Sequence, residues 1–477
     1  MFAIRKLTLV LCLILPSVAW GKVFLRWTQD VIPKDLGVNA LVFPCASKGH
    51  SVVQKAASEG YRVYLECSAQ EAQTIADAAA KSGVMGIIVT PGDSELSQVN
   101  LAVRRLKAAH PKLMFLLLNP NAIPPQMKGT LVINKDGVLH VTSPTAQPWL
   151  DTNLALVKLE RAFRPGQAPL YSFNWSTGAA AGTQGPDVSD YALAVAEAGA
   201  YRADLVLSIH ERLQRGLANN DGQAETTWKE IKTYLRFYSR TQRDDIPEVN
   251  VAVITDEDSA SFEPINLLAR HNIGTRVLRP SRVNRISLEK MDVIIVFSSL
   301  GGHLLQMVSD SVAEGKTLVI VNAEGKAYPW HSSEARKISD DSVSYVLGEG
   351  RVIELKSPIS DPETFARDIR GLIDNGKLEI SLWNALTTIG VLYREPGSEN
   401  KVVELVNYAA DPLEVQIRVK GEFPLIRYES PERGCCEAIS PVIRDGFTEF
   451  SVPSLTISGR VHLQKTKSAH LNTPPRA

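Results

Sequence analysis

The apolar positions of this chain fall into three successive rhythms. Over residues 22–245, short apolar runs rich in β-branched residues alternate with stretches whose apolar residues recur at helical spacing, the pattern of parallel strands joined by crossover helices. The runs predict strands at 23–27, 40–44, 62–65, 86–89, 114–118, 130–133, 170–173 and 205–209, with helices at 70–81, 96–109, 151–163, 190–201 and 225–240 between and after them. Eight strands is the number that closes a (β/α)8 TIM-like barrel. An open doubly wound sheet is the alternative, because the first and sixth units are poorly formed.

Near Asp244-Asp245-Ile246-Pro247 the rhythm restarts. Strands at 249–254, 275–278, 293–297 and 317–321, with helices at 261–271 and 304–314, predict a second α/β layer: an open parallel sheet of the flavodoxin or amidotransferase type. From Ser381 onward helices vanish and strands follow one another at 388–393, 401–407, 413–419, 425–429, 447–452 and 459–463. Asp445-Gly446 marks a hairpin between two of them, and the whole implies a small antiparallel β-sandwich that packs on its neighbours and carries no chemistry. The expected organisation is a multidomain α/β chain with a barrel at 22–245, an α/β domain at 246–380, a sandwich at 381–465 and a disordered tail at 466–477.

The first 21 residues read as a signal peptide. Arg5 and Lys6 form a basic segment, Leu7 to Leu15 an apolar one, and Ala19-Trp20-Gly21 a small-x-small cleavage site that leaves Lys22 first, which implies a secreted or periplasmic protein. An uncleaved anchor is the alternative, although the apolar run is shorter than the roughly 20 residues that span a bilayer, so no membrane span is expected in the mature chain. Lysine plus arginine equals aspartate plus glutamate at 52 each, without a long block of either sign, which removes the electrostatic reason to propose nucleic acid as partner. A neutral polymer or small molecule fits better.

Export makes disulfides possible. Cys45 and Cys67 each close a predicted strand and could pair if those strands are neighbours; two buried free thiols fit as well. Cys435 and Cys436 are adjacent, where a bridge would be strained and a pair of reduced thiols is the alternative. No Cys-x-x-Cys or Cys/His spacing of a metal site is present, and no metal or other cofactor is expected.

In a barrel the chemistry sits at the C-terminal ends of the strands, where the loops converge over the mouth. The polar residues there are Thr28, Asp30, Lys48, His50, Glu66, Asp93, Glu95, Asn119, Asn134, Asn174, Trp175 and the pair His210-Glu211. Glu66 at the rim suits acid work if burial raises its affinity for protons, and bonding a neighbouring amide is the structural alternative. His210 and Glu211 place an imidazole and a carboxylate near the mouth, or else cap a strand and begin a helix. Asp93 and Glu95 fit helix capping better. Trp175 offers a stacking face for a sugar ring, or simply wedges its loop. The Ser298-Ser299-Leu300-Gly301-Gly302 turn lacks the Gly-x-Ser-x-Gly spacing of a serine elbow and reads as a structural loop; His303 and His331 are the histidines nearest to it in sequence. The absence of cysteine between Ser68 and Gly434 rules out an amidotransferase nucleophile in the middle segment.

Taken together the chain resembles the multidomain glycoside hydrolases of the β-galactosidase type, in which a barrel is followed by an amidotransferase-like domain and a C-terminal β-sandwich. The resemblance is carried by Met291-Asp292-Val293-Ile294-Ile295-Val296, Glu314-Gly315-Lys316-Thr317-Leu318-Val319-Ile320 and Gly348-Glu349-Gly350-Arg351-Val352, then by Val406-Asn407-Tyr408 and Phe447-Thr448-Glu449-Phe450-Ser451-Val452-Pro453. It covers the second half of the chain by motif and the first half by topology. It implies a carbohydrate or glycan partner, an acid/base at the end of the fourth strand and a nucleophile at the end of the seventh. Here the fourth strand offers Asp93 or Glu95 without the family's Asn-Glu pair, and the seventh ends in Asn174-Trp175. Two readings therefore stand. In one, Glu66 and Glu211 form the carboxyl pair of a hydrolase, with His210, Asn174, Trp175 and Asp93 holding the sugar. In the other, a degenerate barrel binds carbohydrate or serves assembly without catalysis. The resembled enzymes make trimer contacts through the middle domain, but these residues alone do not demand a homo-oligomer.

Overall fold

The structure is a computed structural model that describes residues 23–465, apart from 46–49, 93–94, 121–131, 136–137, 142–151, 174–185, 242–243, 257–258, 374–375, 386 and 410–411. The first rhythm forms strands β1 (Val23–Arg26), β2 (Ala40–Pro44), β3 (Arg62–Ser68), β4 (Gly86–Thr90), β5 (Met114–Leu117), β6 (Val132–Lys135), β7 (Val138–Val141), β8 (Leu170–Tyr171) and β9 (Asp204–Ser208). Helices α1 (His50–Ser58), α2 (Ala69–Lys81), α3 (Leu96–Ala109), α4 (Leu154–Phe163), α5 (Val188–Ala200), α6 (Glu211–Ala218) and α7 (Gly222–Tyr238) alternate with them.

Seven of these strands make one parallel sheet in the order β5-β4-β3-β2-β1-β9-β8. The sheet curls into a nearly closed barrel. Its two edges meet through Asn119, just beyond β5: the Asn119 backbone N–H donates to the Leu170 carbonyl at 3.1 Å, its Nδ2 donates to the Ser172 carbonyl at 3.2 Å, and its Oδ1 accepts from the Ser172 N–H at 2.8 Å. One side-chain amide thus does what a strand ladder does elsewhere, and Asn119 adopts the left-handed conformation (φ 45°) that asparagine tolerates.

The expected sixth strand is a correction. β6 pairs antiparallel with β7 and takes no part in the barrel sheet. The sequence contains the reason, since Asp136-Gly137 between two short apolar runs is a strong hairpin signal.

Alternation along the strands sorts two cores. Phe24, Ala40, Val42, Tyr64, Ile88, Leu118, Leu170 and Val206 pack together inside the barrel, whereas Leu25, Leu41, Val63, Ile87, Phe115 and Leu205 pack outward under the helices. Helix ends are set locally: Ser68 and Glu71 form a capping box on α2, and Asp187 with Asp190 does so on α5.

A short strand β10 (Ile246–Pro247) leads into the second layer, with β11 (Val251–Ile254), α8 (Phe262–Arg270), β12 (Thr275–Leu278), α9 (Arg285–Leu288), β13 (Val293–Val296), α10 (Gly302–Ala313), β14 (Thr317–Ile320), β15 (Arg336–Lys337), β16 (Ser342–Leu347), β17 (Gly350–Leu355) and α11 (Pro362–Leu372). Strands β12-β11-β13-β14-β17 run parallel, and β16 and β15 extend the sheet antiparallel. The parallel strands read Val-Ala-Val-Ile, Val-Ile-Ile-Val and Thr-Leu-Val-Ile, the near-continuous apolar runs of strands buried on both faces.

The last layer comprises β18 (Ile380–Trp383), β19 (Thr388–Arg394), β20 (Lys401–Asn407), β21 (Leu413–Lys420), β22 (Leu425–Ser430), β23 (Gly434–Ile439), β24 (Val442–Arg444), β25 (Phe447–Leu455) and β26 (Ser458–Gln464). They form a six-stranded sheet, β10-β19-β20-β26-β22-β23, and a four-stranded one, β18-β21-β25-β24, with Val403, Leu405, Ile417, Phe423 and Val461 between them. Asp445 and Gly446 both take positive φ (52° and 77°) in the turn between β24 and β25, as a two-residue hairpin of this type requires.

One apolar core runs from the barrel helices through α8 and α11 to Ile389, Val406 and Ile457 of the sandwich, so the three layers are packed together. Polar locks reinforce that junction. Glu404 on β20 accepts from Arg202 at 2.9 Å and from Arg460 at 2.7 Å, and Arg202 also donates to Asp245 at 2.8 Å. Fully buried Glu197 accepts from Asn153, Tyr171 and Tyr408, and burial raises its carboxyl.

Candidate functional site at the barrel mouth

Inward positions at the C-terminal ends of β1, β3 and β9 place Arg26, Glu66 and Ser208 together. Arg26 grips Glu66 with two parallel bonds, Nε to Oε2 and Nη2 to Oε1, each 2.7 Å, and donates through Nη1 to the Ser208 hydroxyl. Ser208 Oγ lies 3.4 Å from Ser172 Oγ. The side chains of Arg26 and Glu66 remain 26% and 16% exposed, so the fork faces the mouth instead of being sealed within the barrel. Fork-to-fork pairing fixes both side chains in one plane.

The rim is braced by Gln214 on α6. Its Oε1 accepts from the Thr28 N–H at 2.9 Å and its Nε2 donates to the Ile209 carbonyl at 2.9 Å, which ties the loop after β1 to the end of β9.

His210 and Glu211 follow β9 directly. His210 is exposed and caps α6, its Nδ1 accepting from the Arg212 N–H at 3.3 Å, while its own N–H donates to the Tyr191 hydroxyl. Glu211 occupies the first turn of α6, is two-thirds exposed (67%) and lies 3.5 Å from Arg215 one turn on. Among the described residues, the side-chain bonds of Glu66 run to Arg26, and none joins it to Glu211 or His210. Asp93, Asn174 and Trp175 lie outside the described residues, as does Lys48, and Asn134 falls on β6, away from the barrel sheet.

Arg26 is the residue that reasoning from strand ends passed over. A signal exists: one arginine closing the run Val-Phe-Leu-Arg, two positions beyond Phe24, sits on the inward face of a strand otherwise buried on both sides. Among carboxylates, Glu66 shares that inward face, two positions beyond Tyr64.

Beneath the rim, Cys45 and Cys67 close the neighbouring strands β2 and β3, and their sulfurs touch at 2.6 Å as free cysteines. Burial pushes both thiols up. Cys435 and Cys436 are joined by a disulfide on the exposed strand β23. Glu429 lies within 4.8 Å of those sulfurs, but its Oε1 is taken by Arg460 and His462 and the sulfurs by each other, an arrangement unsuited to a cation. In the middle layer, His331 is bonded to Glu354 at 2.9 Å, and no contact among the described residues joins it to Ser298.

A nearly closed parallel barrel, an open α/β sheet and an antiparallel sandwich follow one another in this order, a multidomain fold of the kind seen in solved glycoside hydrolases. Comparison with solved structures agrees. The chain is similar to α-L-fucosidase isoenzyme 2 from Paenibacillus thiaminolyticus at 11% identity and a TM-score of 0.58, over 94% of this chain and 100% of that one. It is similar also to a β-galactosidase from Rahnella sp. R3 at 11% identity and a TM-score of 0.53, over 88% of this chain and 94% of that one. At such identities the likeness carries the fold alone. No protein-family model matches the sequence, and no curated protein does.

Proposed function

We propose that this chain is an exported carbohydrate-binding protein built on a glycoside-hydrolase fold, and that the barrel mouth holds a glycan without cleaving it. The observation that carries this reading is the Arg26–Glu66 fork: both oxygens of the inward-facing carboxylate are turned to a guanidinium, while Glu211 pairs with Arg215 on the surface of α6. A glycosidase needs two carboxyl groups facing one scissile bond, roughly 5–9.5 Å apart according to mechanism. A planar, charged fork beside two serine hydroxyls suits a different task, that of donating and accepting hydrogen bonds with sugar hydroxyls. Trp175 and Asn174 beyond β8 would supply the stacking face and an amide. Carbohydrate as the ligand class is supported by the fold shared with an α-L-fucosidase and a β-galactosidase. Export rests on Arg5-Lys6, the apolar run to Leu15 and Ala19-Trp20-Gly21. No helix among the described residues is long and apolar enough to cross a membrane.

The mature chain from Lys22 should bind members of a polysaccharide and oligosaccharide array and release no reducing ends from them. Arg26→Met and Trp175→Ala should each weaken binding about tenfold, the order of one charge-assisted or stacking contact. Turnover that Glu66→Gln and Glu211→Gln both abolish, in folded protein, would replace this reading with hydrolysis by that carboxyl pair.

A further inference from the structure

A second site lies away from the barrel mouth, where α4, the edge strand β12 and the sandwich strands β18 and β19 meet. A cavity of about 250 Å³ opens there. Its walls are largely apolar, among them Leu154, Ala162, Ile273, Val277 and Leu392. Lys158 on α4 lines it, and its ammonium has one hydrogen-bond partner among the described residues, Thr275 Oγ1 at 2.6 Å. An ammonium carries three donors, so two remain for an occupant.

The charge around Lys158 is one-sided. Arg161 lies one turn along the same helix, with its Nη2 committed to the Tyr201 and Arg202 carbonyls, and Arg279 and Arg282 stand at the exposed rim. The carboxylate lining the cavity, Glu248, is engaged by Arg394 at 2.8 Å with Lys401 at 4.0 Å. Tyr201 and Tyr393 complete the titratable groups facing the space. Positive charge in an apolar chamber without a free counter-charge is costly, and an anion with a matching body removes the cost.

We propose that this cavity is a binding site for a small carboxylate with an apolar body, the carboxylate resting on Lys158 and the body against Leu154, Ile273 and Leu392. The volume limits the occupant to about a dozen non-hydrogen atoms, below the size of drug-like ligands. Burial and then Arg161 push Lys158 down to about 7. An anion favours the charged ammonium, so binding above that pH draws a proton from solution.

Titration calorimetry of the full mature chain with benzoate, and with benzamide as its uncharged isostere, tests this independently of what the barrel mouth does. Benzoate should saturate one site, and benzamide should bind at least about tenfold more weakly. Heats measured in buffers of different ionisation enthalpy should report uptake of close to one proton per benzoate at pH 8 and far less at pH 6. Lys158→Met should weaken benzoate tenfold or more, whereas Lys158→Arg should keep the binding and lose the proton uptake, because a guanidinium stays charged. A parent chain that fails to bind benzoate at about 10 mM, or a folded Lys158→Met that binds it unchanged, overturns the proposal. If the methionine variant does not fold, the benzamide comparison and the arginine variant decide the matter.

Discussion

Arg202 is the residue whose loss should be felt furthest. It follows α5 in the left-handed conformation (φ 60°), is 4% exposed, and reaches Glu404 of the sandwich and Asp245 of the connecting segment with separate nitrogens, its guanidinium 4.3 Å from the centre of the Tyr393 ring. Arg202→Met keeps the aliphatic stem and removes the charge. Glu404 then retains Arg460, but Asp245, 5% exposed, loses its ion-pair partner. Leaving a buried charge uncompensated costs about 3–5 kcal/mol, which at a urea dependence of about 3 kcal/mol/M lowers the unfolding midpoint by about 1–1.7 M. The deficit should also depend on pH. Burial already raises the Asp245 carboxyl and Arg202 opposes that rise, so the variant raises it further. A carboxyl whose folded value lies above its unfolded value binds protons more tightly in the native state, so folding gains stability as pH falls through the folded value. The gap between parent and variant should therefore be widest near pH 8 and narrow towards pH 5. Urea unfolding followed by tryptophan fluorescence at both pH values measures it, and Arg202→Met with Asp245→Asn should recover part of the loss at pH 8. A deficit below about 1 kcal/mol, or one identical at the two pH values, would refute the reasoning.

Three further outcomes are expected. In reductant at pH 8, iodoacetamide should leave Cys67 unmodified in the native protein and label it after urea, because burial holds it as the thiol; peptide mass spectrometry reads this, and rapid native labelling would contradict it. Tyr408→Phe removes a hydroxyl within 2.8 Å of Glu197, Tyr201 and Thr152, and should cost about 1.5–3 kcal/mol in the same urea assay, the range for bonds to a buried charged group. Gly348→Ala should destabilise the middle sheet and lower the thermal midpoint, since φ is 62° and an added Cβ would lie 2.6 Å from Ala313 backbone atoms; an unchanged midpoint would show that the β16–β17 turn can shift.

Most of the strand and helix order is legible in the sequence because burial on both faces of a parallel strand demands an apolar run, and helices advertise their period. The run 40–44 and the helix 96–109 coincide with β2 and α3, and 275–278 and 401–407 with β12 and β20. The segment 130–133 misled because a short apolar run carries no record of its partner; the Asp136-Gly137 that follows was the better guide to β6 and β7.

Glu66 was identifiable from its place at a strand end, and its arginine partner was not. Arg26 precedes Glu66 by forty positions, and only the adjacency of β1, β2 and β3 sets the guanidinium against the carboxylate. The closure through Asn119, the clasp of Glu404 by two arginines and the cavity around Lys158 all join residues that are remote in sequence. Local pattern determines which segments are strands or helices and which faces are apolar, because those depend on neighbours within a turn or two. Which polar groups meet, and which of them are left without a counter-charge, depends on how those faces dock, and the tertiary structure alone decides that.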